Sequence, residues 1–326
     1  MNIPSPGSAL LASRALWQMR VRKRPFVLSH GINARCNLRC KFCDYWQENG
    51  KEMSTGAIFG LLDEARSFGI GVYNAWTAEP LLRPDLPAIL HHAKERGLVT
   101  SLITNGMLLR KRIHELGDLD RLSVSVDGIE SYREIRGASI DPVLDGIKAA
   151  QDAGHQVLIN CVISGKNLDE VEDLVRLAQE MGTLISFEPL HVFEEMKREV
   201  WDEMAIRDIS RYRKAMDRLL EMKNNRYPII NSLTYLKMVR DQNPSFRCHA
   251  SDIVLHVTAD GSIVNCRVQR EPLGHLEDGL LNVWRSSRER RREITQSCKG
   301  CLFFGYVENS LLYDLNMEVM AHYGWI

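Results

Sequence analysis

Three thiols, Cys36, Cys40 and Cys43, stand at C-x3-C-x2-C spacing in the run Cys-Asn-Leu-Arg-Cys-Lys-Phe-Cys. Soft sulfur donors this close in sequence can wrap one corner of a metal site, and they select iron–sulfur clusters, zinc or copper(I). A structural zinc ion wants a fourth Cys or His at finger-like spacing to close its tetrahedron. None follows, because the next His is His91 and the next Cys is Cys161. Three ligands on a four-iron cluster leave one iron open to a small molecule that binds through N and O atoms.

A second group comprises Cys248, Cys266, Cys298 and Cys301, with Gly261 preceding Cys266 in the pattern C-x12-G-x4-C and Cys298-Lys-Gly-Cys301 closing the set. Four thiolates fill a tetrahedral zinc ion or fully ligate one four-iron cluster, and spacing alone does not choose between them. Cys161, among Ile159, Val162 and Ile163, reads as a small buried hydrophobe with no role.

Composition sets the frame for these donors. A chain of 326 residues fits one large domain with a smaller appendage. Hydrophobic residues make up 44%, enough for a packed core, and Lys+Arg 42 against Asp+Glu 42 gives no global pull toward nucleic acid. The first residues lack a charged segment followed by a long apolar run, and no stretch nears the roughly 18 apolar residues of a membrane span. The expectation is a cytoplasmic chain, in which thiols at C-x2-C spacing bind metal rather than form disulfides.

Six strand-like runs, near 26–32, 71–76, 99–103, 122–126, 157–163 and 184–188, alternate with helical stretches. The helices fall at 54–68, 87–96, 108–117, 141–153 and 168–181, the first with Ser54 as N-cap and Gly69 as stop. This alternation predicts an α/β fold, a parallel sheet with helices outside and ligands at the carboxyl ends of the strands. Residues 197–224 read as one or two helices, and short strands follow near 253–258 and 263–266. The expected organisation is an N-terminal helix over 1–25, the α/β unit over 26–195, a helical connector over 196–245 and a cysteine domain over 246–326. In the first segment Leu10, Leu11, Leu16, Trp17 and Val21 are apolar, while Arg14, Arg20, Arg22, Lys23 and Arg24 are basic. Such a helix either lies on an anionic membrane surface or packs across one end of the barrel.

With Phe42 completing C-x3-C-x-aromatic-C, the chain resembles the radical S-adenosylmethionine (SAM) enzymes. The resemblance implies a partial (β/α)6 barrel in which Cys36, Cys40 and Cys43 hold a [4Fe-4S] cluster and SAM chelates its open iron. An electron, delivered by a flavodoxin- or ferredoxin-type donor, then splits SAM into methionine and a 5′-deoxyadenosyl radical. Further motifs extend the likeness over residues 26–190. Thr77-Ala78-Glu79-Pro80 stands where the family usually carries Gly-Gly-Glu-Pro, so Glu79 is expected to meet the SAM ammonium, on a backbone whose glycines are gone. Thr104-Asn105-Gly106 and Ser125-Val-Asp127-Gly128 match two further SAM-contacting turns. Arg136 is placed to fork onto the SAM carboxylate, and Asn160 has the polarity to point into the barrel mouth.

The second cysteine set resembles the SPASM and twitch extensions, which implies an auxiliary [4Fe-4S] cluster with four Cys ligands. A full SPASM domain has more cysteines after its C-x2-C, and 302–326 contains none, so one auxiliary cluster is expected. The spacing is most similar to the twitch domain of the butirosin-pathway enzyme that oxidises 2-deoxy-scyllo-inosamine. It departs from the molybdenum-cofactor cyclase type, whose auxiliary cluster keeps an open iron. Oxidation of a small organic molecule is therefore the expected reaction. Alternatives are modification of a ribosomal peptide, modification of a lipid or polyprenyl substrate at a membrane, and a zinc-stabilised binding scaffold. Tyr73, Asn74, Trp76, Glu188 and His191 sit where side chains can face substrate, with His191 a candidate proton acceptor.

Overall fold

The computed structural model describes residues 6–47, 50–191 and 196–320. In chain order the elements begin with α1 (Pro6–Leu16), a π-helical turn (Trp17–Val21), β1 (Val27–Gly31), α2 (Thr55–Phe68), β2 (Val72–Trp76), α3 (Leu86–Glu95) and β3 (Val99–Thr104). They continue with α4 (Leu109–Arg112), β4 (Arg121–Ser125), α5 (Tyr132–Arg136), α6 (Asp141–Asp152), β5 (Val157–Ile163), α7 (Val171–Glu180) and β6 (Leu184–Pro189). Then come α8 (Arg198–Met204), α9 (Ile209–Asn224), α10 (Leu233–Arg240), α11 (Ala250–Ile253), β7 (Val254–Val257), β8 (Ser262–Val264) and β9 (Pro272–His275). The last four are α12 (Leu280–Ser286), α13 (Arg288–Ser297), α14 (Phe304–Tyr313) and α15 (Met317–Met320).

β1 to β6 lie side by side in sequence order and all parallel, giving the expected partial (β/α)6 barrel. Successive side chains of a strand point to opposite faces, and the two faces differ in chemistry. Leu28, Tyr73, Leu102, Leu122 and Ile159 are fully buried in one core with Leu61 of α2, Ile89 of α3 and Ile147 of α6. On the other face Ser29, Asn74 and Ser101 stand in register, as do Ser125, Asn160 and Ser186. A barrel interior lined by small polar groups leaves room for a polar ligand rather than for a second core.

Local signals act where the sequence placed them. Ser54 caps α2 by accepting from Ala57 N at 3.2 Å, and Gly69 ends it at φ 110°, a left-handed conformation that glycine adopts without strain. The change of character expected around residue 195 lies at 192–195, outside the described residues, as do 1–5 and 321–326 of the terminal segments.

The sheet also runs past the barrel. β7 pairs parallel with β1, and β8 and β9 follow antiparallel, so the cysteine-rich region continues the barrel sheet at its β1 edge. β9 was not expected, because Pro272 and Gly274 weaken a strand pattern.

The N-terminal helix takes the second of its two expected placements. Leu10, Trp17 and Val21 are exposed, while Ala15, Gln18 and Met19 are buried. Ala15 and Met19 pack on Phe26, Ile253 and Val254, and Gln18 Nε2 donates to Phe68 O at 3.0 Å. These partners lie at the amino ends of β1, β2 and β7, so the helix plugs the bottom of the barrel. Among the described residues no helix is long and apolar enough to cross a membrane.

Candidate active site

The carboxyl ends of the strands hold the first three cysteines in a loop without regular structure between β1 and α2. The loop is tied from several sides. Asn33 Nδ2 donates to Glu79 O at 2.8 Å, Lys41 N to Ile135 O at 2.9 Å, and Cys43 N to Cys40 O at 3.2 Å. Asn105 Nδ2 donates to Asn37 Oδ1 at 2.8 Å and approaches Cys36 Sγ at 3.7 Å, while Leu38 N points at the same sulfur at 3.4 Å. Burial raises all three thiols, Cys43 to about 12. Thiols this reluctant to ionise become ligands when a metal centre supplies the compensating positive charge. Backbone and amide N–H groups already aimed at Cys36 suit a thiolate, so the donor set fits a cluster.

Glu79 ties the strand ends together. It is fully buried; Oε1 accepts from Thr104 Oγ1 at 2.7 Å and Leu81 N at 2.9 Å, and Oε2 from Asn105 N at 2.7 Å. Burial pushes its pKa up against those bonds. A carboxylate offers about four acceptor positions, and three are used inside the protein. Glu79 and Thr104 thus position the Asn105 turn, and the expected contact with a ligand ammonium is left little free capacity.

The two residues before it keep the glycine backbone without glycine. Thr77 has φ 76° and Ala78 φ 42°. Left-handed conformations cost an L-residue about 1–2 kcal/mol, and a β-branched residue there is an outlier. Such strain concentrates at ligand-clamping turns. The double variant Thr77→Gly, Ala78→Gly should therefore gain about 1–2 kcal/mol of unfolding free energy, after allowing for the extra freedom of glycine in the unfolded chain. Chemical denaturation checks this; unchanged or lower stability would show that the turn is unstrained.

Arg136 makes an ion pair inside the protein. Its Nε donates to Asp127 Oδ2 at 2.6 Å, its guanidinium lies 3.9 Å from Cys40 Sγ, and its carbon sits 5.8 Å from the centroid of the Phe42 ring. Burial opposes its charge, but Asp127 and Cys40 beside it raise its pKa. Its Nε is thereby engaged in a buried ion pair, which leaves the expected ligand-carboxylate contact to its terminal nitrogens. Asp127, fully buried, also accepts from Val162 N at 2.8 Å. It is a site residue that the Ser-x-Asp-Gly pattern could have revealed and that attention to Ser125 obscured. Ser125 and its register partner Asn160 are half-buried on the interior face, and Asn160 Oδ1 accepts from Ser186 Oγ at 2.6 Å.

The second cysteine set comes from three separate places: Cys248 ahead of α11, Cys266 after β8, and Cys298 with Cys301 in the loop between α13 and α14. Burial raises Cys248 to about 11 and Cys301 to about 12, and the other three cysteines add to the rise at Cys301 by their charge. Gln269 N points at Cys266 Sγ at 3.3 Å and Gly300 N at Cys298 Sγ at 3.4 Å. Among the described residues no three His, Cys, Asp or Glu stand at the spacing of one bound metal ion. The loop after Cys266 docks on the first cysteine loop, with Arg270 paired to Asp44 at 2.9 Å and lying over Tyr45 at 4.7 Å. Nothing in the sequence spacing linked these two loops.

Between the two cysteine regions lies the barrel mouth. Trp76 ends β2 there, and Glu188 lies near the end of β6, accepting from Phe304 N at 3.1 Å. Burial pushes Glu188 to about 7. The expected base, His191, is driven down to about 4 by burial, and its Nε2 has no partner among the described residues. Burial thus brings Glu188 toward neutrality and takes His191 away from it. Tyr73 faces the other way: it is fully buried, and its hydroxyl meets His30 Nδ1 at 2.9 Å, as strand alternation demands once Asn74 and Trp76 face inward.

Comparison with known proteins bears on this geometry. The family model described as Radical SAM superfamily matches residues 32–178. A protein of Methanococcus maripaludis (strain C7) named "Probable GTP 3′,8-cyclase" is 31% identical over 276 residues, 79% of this chain and 90% of the relative. One of the same name from Methanosarcina acetivorans is 31% identical over 262 residues, covering 74% and 77%. Among solved structures, SuiB of Streptococcus suis aligns with TM-score 0.67 at 18% identity over 87% of this chain and 72% of that one. anSMEcpe, solved with bound AdoMet and Cp18Cys peptide, aligns with TM-score 0.68 at 15% identity over 91% and 98%. At such identities these two structures speak to the fold.

Proposed function

The chain belongs to the radical SAM superfamily, and we propose that within it the protein oxidises a small organic molecule with the help of a second, fully ligated [4Fe-4S] cluster. Cys36, Cys40 and Cys43 would hold the SAM-binding cluster, and Cys248, Cys266, Cys298 and Cys301 the auxiliary one. When bound, the first cluster supplies the electron that cleaves SAM to methionine and a 5′-deoxyadenosyl radical. The reading is carried by one observation, four thiols from three separate segments that stand near enough to raise one another's pKa. Four thiolates leave no iron open to substrate, which suits electron transfer and hence oxidation. A flavodoxin- or ferredoxin-type protein is the expected reductant.

The second reading is cyclisation of GTP, favoured by identity to relatives of that name over most of their length. One experiment separates the two. The anaerobically reconstituted protein is incubated with SAM and reductant, in one arm with GTP and in another with a metabolite extract, and products are followed by mass spectrometry. A cyclised GTP product decides for the second reading. Deoxyadenosine formed with GTP intact, together with a metabolite losing two hydrogens, decides for oxidation.

A two-electron oxidation sheds a proton, and Glu188 is placed to take it. Deprotonated Glu188 is the active form, so turnover should rise with pH through an apparent pKa near 7. Glu188→Gln should lower kcat by about 100-fold and flatten that rise, whereas His191→Asn should cost about tenfold or less. A pH profile in Glu188→Gln that matches wild type would remove Glu188 from the chemistry.

A lipid or polyprenyl substrate gains no support from the N-terminal helix. A membrane held by Leu10, Trp17 and Val21 would lie at the bottom of the barrel, while the cysteine loop and Glu188 open at the other end.

A further inference from the structure

We propose that Arg267 is an oxyanion-binding residue of the substrate pocket, taking a carboxylate or phosphate group of the substrate against β1 and β2, across the mouth from Glu188. The proposal rests on the reading of the mouth as the substrate site.

Arg267 follows Cys266 and reaches from the loop after β8 into the open side of the barrel. Its guanidinium carbon lies 3.5 Å from the centroid of the Trp76 ring and 5.6 Å from that of Phe303. One terminal nitrogen donates to Ser29 Oγ at 2.8 Å. Ser29 and Trp76 both belong to the interior face of the sheet, Ser29 in register with Asn74 and Trp76 with Gly31. The guanidinium is thus laid flat across the two strands that open the barrel.

What it lacks is a bonded anion: Glu188 stands near enough to feel its charge but forms no ion pair with it. Among the described residues Arg267 Nε, shielded from solvent, has no acceptor, and Trp76 Nε1, in the ring beneath it, is in the same state. No carboxylate among the described residues forms an ion pair with Arg267. A shielded N–H without a partner costs about 1–3 kcal/mol, and a desolvated cation more. Two fully enclosed arginines pair with carboxylates, Arg83 with Asp85 at 2.7 Å and Arg136 with Asp127 at 2.6 Å, whereas half-buried Arg267 does not. Arg267 instead rests on an aromatic face, which supports its charge without using its donors. Two unmet donors on stacked groups call for acceptor oxygens, and a guanidinium favours those of a carboxylate or a phosphate. The polar interior row from Asn74 to Asn160 would meet the uncharged remainder of such a molecule.

The test uses reconstituted, SAM-loaded protein and two probes, inorganic phosphate and acetate, titrated by calorimetry. One of the two should bind saturably to wild type in the millimolar range, and which one names the substrate's anionic group. Arg267→Gln should weaken that binding at least tenfold, Arg267→Lys should restore part of it, and Trp76→Phe, which keeps the aromatic face and removes one donor, should weaken it about threefold. Iron content reports folding. If Arg267→Gln loses iron, Trp76→Phe decides on its own, and undiminished binding there overturns the proposal. Absence of saturable binding by either anion to wild type overturns it too, as does binding that Arg267→Gln leaves unchanged. Failure of wild type to cleave SAM would instead sink the radical SAM reading, whatever the anions do.

Discussion

Replacing Cys36, Cys40 and Cys43 together by alanine is expected to abolish SAM cleavage and to leave about four of the roughly eight iron atoms of a two-cluster protein. The reason is physical separation of the two thiol sets. The first set is held by contacts from β3, α5 and its own turn, and the second by segments around β8, α11, α13 and α14, so losing one need not empty the other. The converse variant, Cys298→Ala with Cys301→Ala, should keep the first cluster while substrate turnover fails. Iron and sulfide analysis with a deoxyadenosine assay reads both. Zinc at full occupancy in the second set, in protein made without excess zinc, would end the auxiliary-cluster reading; loss of all iron from the triple variant would show that the sets are interdependent.

Much of this was legible because the informative signals are local. Ser54 and Gly69 fix the ends of α2 through their own hydrogen-bonding and backbone properties, and the Cys36, Cys40, Cys43 spacing carries its chemistry within eight residues. Contacts between distant segments were not legible. β7 joins β1 by main-chain hydrogen bonds that leave no mark on side-chain pattern, and Arg270 meets Asp44 through that docking. In the N-terminal helix the residues that turn inward were not legible, because Trp17–Val21 is π-helical, which shifts the angular register. Burial consequently selects Ala15, Gln18 and Met19 and leaves Trp17 outside. At Tyr73 a step of one position was decisive, since alternation puts it among the helices and Asn74 in the pocket.

Arg136 and Asp127 give the sharpest remaining contrast between the sequence expectation and the structure. An arginine kept free to clamp SAM could be truncated with little effect on stability, at a cost of about 1.5–3 kcal/mol in SAM affinity. The structure instead pairs it with a fully buried carboxylate. Removing one partner of a buried pair strands the other, which costs about 3–5 kcal/mol. Arg136→Ala and Asp127→Ala should therefore each destabilise by about that amount. Each should also lose iron from the first cluster, because Arg136 abuts Cys40 and Lys41 N bonds to Ile135 O beside it. The double variant Asp127→Leu, Arg136→Met leaves no orphaned charge and should recover much of the loss. A double-mutant cycle measures this directly, with a coupling of at least about 2 kcal/mol expected. Arg136→Ala with near wild-type stability and iron but weakened SAM binding would restore the clamp. Loss of stability with SAM affinity preserved in the surviving folded fraction assigns the pair to holding the cysteine loop, with Asp127 as its anchor.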